Sequence, residues 1–233
     1  MSELTQSEPM SFEGDPAARA QFRDLWAEYQ TLHIGIPYDP ARILMFQRLL
    51  AIANAAPAGD YVELGVHKGL TARLIWRLMD PARSLFLFDT FEGFDARDLD
   101  AERISGGRSL EPGGFLSTSE DAVRAYVSNG QGYMAQRLSI VKGWLPESFR
   151  SYEPISWRFV HLDLDLYEPI RVMLPIIWPH VVPGGIVLIH DFGCADFPGA
   201  RKATNEFAAS VGLVAVPMCD AWGSAVLIKP TKQ

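Results

Sequence analysis

The chain has 233 residues, of which 48% are hydrophobic and 21% charged, as expected for one soluble globular domain with a full hydrophobic core. Its net charge of −7 argues against nucleic acid as the main partner. No apolar run reaches the roughly 18 residues of a membrane span, residues 1–15 lack a signal-peptide pattern, and the two cysteines form no disulfide framework, so we expect a cytoplasmic protein.

Two helices are predicted before the first strand. Asp-Pro pairs at 15–16 and 39–40 each place an N-cap residue before a proline at the first helical position. They predict helices over about 16–31 and 40–55. We expect residues 1–57 to form a polar tail and a helical cap or lid over the remaining part of the chain, 58–233.

Strands and helices alternate in the rest of the chain. The predicted strands lie near 60–66, 83–89, 138–142, 157–163 and 184–190. The predicted helices lie near 69–80, 119–130, 168–178 and 199–210. This alternation predicts an α/β fold with a doubly wound, mainly parallel sheet. Two further short strands, near 213–217 and 223–228, predict a C-terminal antiparallel hairpin.

One polar segment interrupts the alternation. Asp95–Gly114 contains two Gly-Gly pairs and has no hydrophobic periodicity. A loop of this length in a compact domain is usually a lid, a binding loop or disordered. We therefore predict a loop insertion at about 95–117.

The ends of the first three strands indicate a nucleotide-like ligand. Gly65 and Gly69 flank the turn after the first strand, where glycine permits a close ligand approach; the full G-x-G-x-x-G pattern is absent, which disfavours an NAD oxidoreductase. Asp89 ends the second strand, near the spacing at which a carboxylate meets ribose hydroxyls, although it could simply cap a helix. Gly143 and Trp144 follow the third strand, and Trp144 either faces a purine or packs beneath a helix.

The fourth and fifth strands end in acidic and imidazole side chains. Asp163, His190 and Asp191 would meet around one cation, because the carboxyl ends of adjacent parallel strands lie together and buried charges are costly unless paired or bound to metal. Asp165 is equally a ligand or a helix cap. His161 is better explained as a hydrogen-bonded buried group than as a ligand.

The motifs follow the order found in macrocin O-methyltransferase-like enzymes, and the chain resembles this family from about residue 58 to 210. The most specific strings are Asp89-Thr90-Phe91-Glu92-Gly93 and Asp163-Leu164-Asp165-Leu166-Tyr167-Glu168. The other shared strings are Glu63-Leu64-Gly65-Val66, Gly143-Trp144, Pro183-Gly184-Gly185 and His190-Asp191-Phe192-Gly193.

The resemblance implies a Rossmann-like class I methyltransferase. It implies that S-adenosylmethionine donates a methyl group to a sugar hydroxyl of a glycosylated natural product, an oligosaccharide or a polysaccharide, typically with Mg²⁺, in a homodimer. It also implies that Glu63, Gly65 and Asp89 hold the cofactor. Asp163 would be a metal ligand and the general base, and the pair at 190–191 would complete the metal site.

His190 departs from the family pattern, which has two adjacent carboxylates at this point. Mg²⁺ prefers oxygen ligands, whereas imidazole suits Mn²⁺ and other transition ions. His190 can ligate such an ion, orient Asp191, or act as the base itself. Two alternatives therefore stay open: a metal-independent O-methyltransferase with His190 as base, and a non-catalytic S-adenosylmethionine-binding protein.

Overall fold

The computed structural model describes residues 16–30, 39–104, 113–114, 118–129 and 136–231. The helices in these residues are α1 (Pro16–Gln30), α2 (Pro40–Ala55), α3 (Leu70–Leu78), α4 (Ala96–Ile104), α5 (Glu120–Ser128), α6 (Tyr167–Ile177) and α7 (Pro198–Ser210). The strands are β1 (Asp60–Leu64), β2 (Leu85–Asp89), β3 (Leu138–Lys142), β4 (Trp157–Leu162), β5 (Val181–Ile189), β6 (Val216–Pro217) and β7 (Ala225–Ile228). Short 3₁₀ helices cover Glu147–Tyr152 and Trp178–His180.

The strands form one sheet in the order β3-β2-β1-β4-β5-β7-β6. The first five are parallel, and β7 pairs antiparallel with both β5 and β6. The predicted doubly wound sheet and its C-terminal hairpin are therefore confirmed. The chain order reverses between β1 and β4, which is the point where a ligand crevice opens in such sheets.

Helices cover both faces of the sheet and create two hydrophobic cores. All six residues of β4 are buried, as expected for a central parallel strand. Helix α2 packs directly on this strand, where the Phe46 and Phe159 rings lie 6.2 Å apart. The helical cap is thus part of the main core; its action as a lid stays a prediction, and the preceding tail lies outside the described residues.

The segment predicted as a loop insertion at about 95–117 begins with a helix, α4, so its first part is not a loop. Among the described side chains of α4, the buried ones are two acids, Asp98 and Glu102, spaced one turn apart. A helix whose buried face is acidic has no apolar stripe for periodicity to detect. Residues 105–112 and 115–117 of this segment lie outside the described residues. No helix in the described ranges is long and apolar enough to span a bilayer.

Candidate active site

A cleft of about 420 Å³ opens along the carboxyl ends of the parallel strands. Seven of the nine predicted site residues line it: Gly65, Asp89, Gly143, Trp144, Asp163, His190 and Asp191. The residues proposed for the cofactor and those proposed for the metal therefore share one cavity. Glu63 and Gly69 are not among the lining residues.

Gly65 allows the turn after β1 to approach the end of β4. Its φ is +83°, and a Cβ placed there would lie 1.9 Å from the carbonyl oxygen of Asp163. No side chain fits that gap, and the positive φ also favours glycine. Gly65 is thus required both for the backbone conformation and for the contact between the two halves of the cleft.

Asp89 anchors the same turn through backbone hydrogen bonds. Its Oδ2 accepts from the N–H groups of Val66 at 2.7 Å and His67 at 2.9 Å, while Oδ1 accepts from Phe91 N–H at 2.7 Å. A carboxylate oxygen can accept two hydrogen bonds, so Oδ1 keeps one position for a ligand hydroxyl. The structure therefore adds a structural role to the predicted ribose contact.

Trp144 connects the end of β3 to α4. Its Nε1–H donates to Asp98 Oδ2 at 2.9 Å, and the Arg97 guanidinium lies 3.7 Å from the ring centroid. Burial raises the pKa of Asp98, and the hydrogen bond from Trp144 opposes that shift. Trp144 lines the cleft and its indole N–H holds α4 in place, while its contact with a purine stays a prediction.

Asp163, His190 and Asp191 meet at the ends of β4 and β5. His190 Nδ1 lies 2.8 Å from Asp163 Oδ1 and 2.8 Å from Asp191 Oδ2, and one donor atom of each residue lies within 4.8 Å of the others. These contacts lack hydrogen-bond geometry: in the described chain, both His190 ring nitrogens and both Asp191 carboxylate oxygens are buried without a hydrogen-bond partner. Buried polar atoms of this kind need a partner, and a bound cation would supply one.

The same cluster holds His190 in its charged form. Burial alone would lower the pKa of His190, but the neighbouring Asp163 carboxylate raises it to about 9. The pKa of Asp163 lies below its usual range, since the charge of His190 outweighs the opposing effect of burial. Without a metal, an imidazolium therefore lies between two carboxylates at neutral pH.

Two acidic residues at this edge adopt the left-handed backbone conformation, Asp165 with φ 59° and Asp191 with φ 57°. Such strain in residues other than glycine is concentrated at functional sites. Burial first, and the charge of Asp191 second, raise the pKa of Asp165 well above its usual value. Asp165 does not cap α6, because Glu102 accepts the first N–H group of that helix.

Glu63 and His161 form a pair beneath the cleft. His161 Nδ1 lies 2.8 Å from Glu63 Oε1, and both side chains are fully buried. The prediction that His161 is a hydrogen-bonded buried group is confirmed. The Glu63 side chain therefore does not line the cleft, and Glu63 is connected to it by the main chain that leads to Gly65. Gly69, with φ +82°, is the residue that precedes the first turn of α3.

Three residues at the site were not predicted from the sequence. Arg42 on α2 lines the cleft and is 4% exposed; its position on a buried apolar face, one turn before Phe46, was the available signal. Trp222 lines the cleft from the β6–β7 connection, with its ring 5.8 Å from that of His190. Glu102 is fully buried behind the cleft, and no local pattern indicates its contacts.

Residues 39–227 match the family model of the macrocin O-methyltransferases (TylF). The 8-demethyl-8-(2,3-dimethoxy-alpha-L-rhamnosyl)-tetracenomycin-C 4'-O-methyltransferase of Streptomyces olivaceus is 27% identical over 185 residues, which cover 77% of this chain and 69% of that protein. Two other curated O-methyltransferases match over 61% and 63% of their own lengths, which is less than two thirds.

The fold is shared with solved methyltransferases. The calicheamicin methyltransferase CalS11 superposes with a TM-score of 0.68 at 20% identity, covering 95% of this chain and 98% of that one. An O-methyltransferase from Bacillus cereus, solved in complex with S-adenosylhomocysteine, gives a TM-score of 0.54 at 12% identity and covers 94% of this chain and 93% of that one. At these identities the likeness shows the fold.

Proposed function

The chain belongs to the macrocin O-methyltransferase (TylF) family, and from this membership we propose that it transfers the methyl group of S-adenosylmethionine to a sugar hydroxyl, assisted by a divalent cation. The observation that carries the proposal is the shared cleft, which is lined both by Gly65, Asp89, Gly143 and Trp144 and by the cluster of Asp163, His190 and Asp191. The tetracenomycin relative is a methyltransferase named for a rhamnosyl-bearing compound, which supports a glycosylated natural product as acceptor over a polysaccharide.

The nucleoside end of the cleft is formed by Gly65, Asp89, Gly143 and Trp144. Asp89 Oδ1 keeps an acceptor position for a ribose hydroxyl. Gly143 lines the cleft after β3 with φ 153°, and its lack of a side chain lets it pack against Ser148, whose Cβ would lie 2.8 Å from an added Cβ. Gly65 brings this end to within contact of Asp163, where the reacting atoms would meet. We assign Glu63 and Gly69 to positioning this turn.

The cation end is formed by Asp163, His190 and Asp191. The donor set fits a divalent ion because one donor atom of each residue lies near the others and because, in the described chain, the His190 nitrogens and the Asp191 oxygens have no hydrogen-bond partner. A mixed nitrogen and oxygen set suits Mn²⁺ or another transition ion better than Mg²⁺. When bound, such an ion would lower the pKa of the acceptor hydroxyl and stabilise the developing alkoxide.

Asp163 is the proposed proton acceptor. In the metal-free protein the charge of His190 lowers the pKa of Asp163 and keeps the carboxylate ionised at neutral pH, and a bound cation would have the same effect once His190 is neutral. Gly65 fixes the main chain of Asp163 against the cofactor turn. When S-adenosylmethionine is bound, the hydroxyl oxygen would bond to the methyl carbon as the carbon–sulfur bond breaks and S-adenosylhomocysteine leaves, and the hydroxyl proton would pass to the Asp163 carboxylate. We assign to α2 and α4 the role of covering the acceptor and excluding water from it.

The metal-independent alternative requires a neutral His190. A base must be unprotonated to accept a proton, and the carboxylate beside His190 holds it as the imidazolium. This argues against His190 as the base in the metal-free protein; as a ligand, His190 would release that proton when the ion binds. The non-catalytic alternative predicts cofactor binding without transfer to any sugar.

Calorimetric titration of the chelator-treated protein with S-adenosylhomocysteine, and then with Mn²⁺ and Mg²⁺, tests the proposal. We expect both ligands to bind, and methyl transfer to rhamnosylated acceptors to require the ion. Asp163→Asn should lose most of the turnover and retain cofactor affinity, whereas Asp100→Asn on the exposed face of α4 serves as the matched control. Metal-independent transfer would exclude the cation, and no cofactor binding would exclude the enzyme. Light scattering of the same sample tests the expected homodimer.

A further inference from the structure

Arg42 places a buried guanidinium in the wall of the cleft. The residue is 4% exposed and lines the cleft, yet its Nε has no hydrogen-bond partner in the described chain. No ion pair of Arg42 with a described carboxylate is present within 4.0 Å. Burying an unpaired guanidinium is costly, so the position indicates an anion that binds in the cleft.

The nearest carboxylates do not supply that anion. The positive charge of Arg42 lowers the pKa of both Asp163 and His190, so the Arg42 side chain lies near the cation end of the cleft. In the metal-free cluster the His190 imidazolium balances one of the two carboxylate charges, and Arg42 lies near the other. A divalent ion with neutral His190 would balance both carboxylates, and the positive charge of Arg42 would then be left for a ligand.

The surroundings of Arg42 favour the amino-acid end of the cofactor. Arg42 and Lys68 are the two lysine or arginine side chains among the lining residues, and Lys68 lies on the turn that leads into α3, whose N-terminus attracts negative charge. A cofactor with its ribose at Asp89 and its sulfonium near Asp163 extends its amino-acid end beyond the sulfonium, toward this basic wall.

Helix α2 is tied to the opposite wall of the cleft, which fixes the arginine. Asp39 caps α2 by accepting Arg42 N–H at 3.2 Å through Oδ1. Its Oδ2 accepts the N–H of Ala221 at 2.7 Å, beside the lining residue Trp222. The backbone of Arg42 is therefore held before a ligand binds, which reduces the entropic cost of recognition.

We propose that the Arg42 guanidinium binds the α-carboxylate of S-adenosylmethionine and so selects cofactors that carry an intact amino acid. The inference rests on the proposed function, since it requires that this cofactor occupies the cleft. Arginine suits the role because its planar donors match a carboxylate with two parallel hydrogen bonds.

The test compares S-adenosylmethionine with its decarboxylated form, which lacks only the carboxylate. Both are titrated into the wild-type protein, Arg42→Gln, Arg42→Lys, and Arg48→Gln as a control from the exposed face of α2. We expect Arg42→Gln to weaken S-adenosylmethionine by about 10- to 100-fold, as for a charge-assisted hydrogen bond, and to leave the decarboxylated ligand unchanged. Arg42→Lys should retain part of the preference, and Arg48→Gln all of it.

Three results would overturn the assignment. Equal loss of both ligands in Arg42→Gln would make the residue structural, and melting temperatures of the variants would reveal it. Unchanged affinity for both would remove Arg42 from the cofactor. A change confined to the KM of the acceptor would assign the anion to the sugar substrate. Failure of the wild-type protein to bind either ligand would instead contradict the proposed function.

Discussion

The Glu102 carboxylate accepts the backbone N–H of Tyr167 at 2.7 Å, although the two residues are 65 positions apart. Its other oxygen accepts the N–H of Gly199 at 3.2 Å, so one buried side chain caps both α6 and α7. These helices follow the strand ends that carry Asp163 and His190. Glu102 therefore holds together the two segments that form the candidate metal site.

Loss of this shared cap should destabilise the protein. Glu102→Ala leaves two buried N–H groups without an acceptor and is expected to lower the free energy of unfolding by about 2 to 4 kcal/mol in urea denaturation. Asp100→Ala, also on α4 but with a side chain 75% exposed, should change it by less than about 0.5 kcal/mol. Equal effects of the two substitutions would contradict the capping role.

The sheet and most of the site were predictable because strand ends carry their own signals. Apolar runs that end in Asp89, Asp163 or His190 indicate both a buried strand and the polar group at its end. Parallel topology then brings those groups to one edge without further information. This reasoning needs only local sequence and the general rules for connecting strands.

The contacts that were missed link distant segments through polar groups. Helix α4 buries Asp98 and Glu102 in place of apolar residues, so hydrophobic periodicity could not reveal it. Glu63 was expected at the cofactor, but the side chain of a strand residue alternates in direction and this one faces His161. The polar group that occupies a buried position depends on how distant elements pack together, and a local sequence pattern does not contain that information.

The metal-free protein should lose stability as the pH rises. The pKa of His190 is raised in the folded state to about 9 from an ordinary 6.5, so its stabilising charge is complete below pH 6.5 and is lost as the pH passes through about 9. We expect the difference in unfolding free energy between wild type and His190→Gln, measured with chelator present, to shrink over this range. A difference that does not vary with pH would show that His190 is not held as the imidazolium.

Gly65→Ala should be more damaging than the same change at another glycine of similar backbone conformation. Gly212 has φ +70° with no atom within 4 Å of an added Cβ, whereas at Gly65 the Cβ would lie 1.9 Å from the Asp163 carbonyl oxygen. Gly212→Ala then reports the conformational cost alone, about 1 kcal/mol. Gly65→Ala should exceed it by about 2 kcal/mol or more and weaken S-adenosylhomocysteine binding in calorimetry. Similar losses at the two positions would show that the close approach to β4 is unimportant.

Trp144 has two separable roles, one in holding α4 and one in contacting the cofactor. Trp144→Phe removes the N–H that donates to buried Asp98 and keeps an aromatic ring, so it should cost about 1 to 3 kcal/mol of stability with little loss of S-adenosylhomocysteine affinity. Trp144→Ala should lose both. A double-mutant cycle of Trp144→Phe with Asp98→Ala isolates the hydrogen bond, and we expect a coupling of about 0.5 kcal/mol or more. If Trp144→Phe and Trp144→Ala weaken the cofactor equally, the ring makes no contact with the base, and the residue serves only to attach α4.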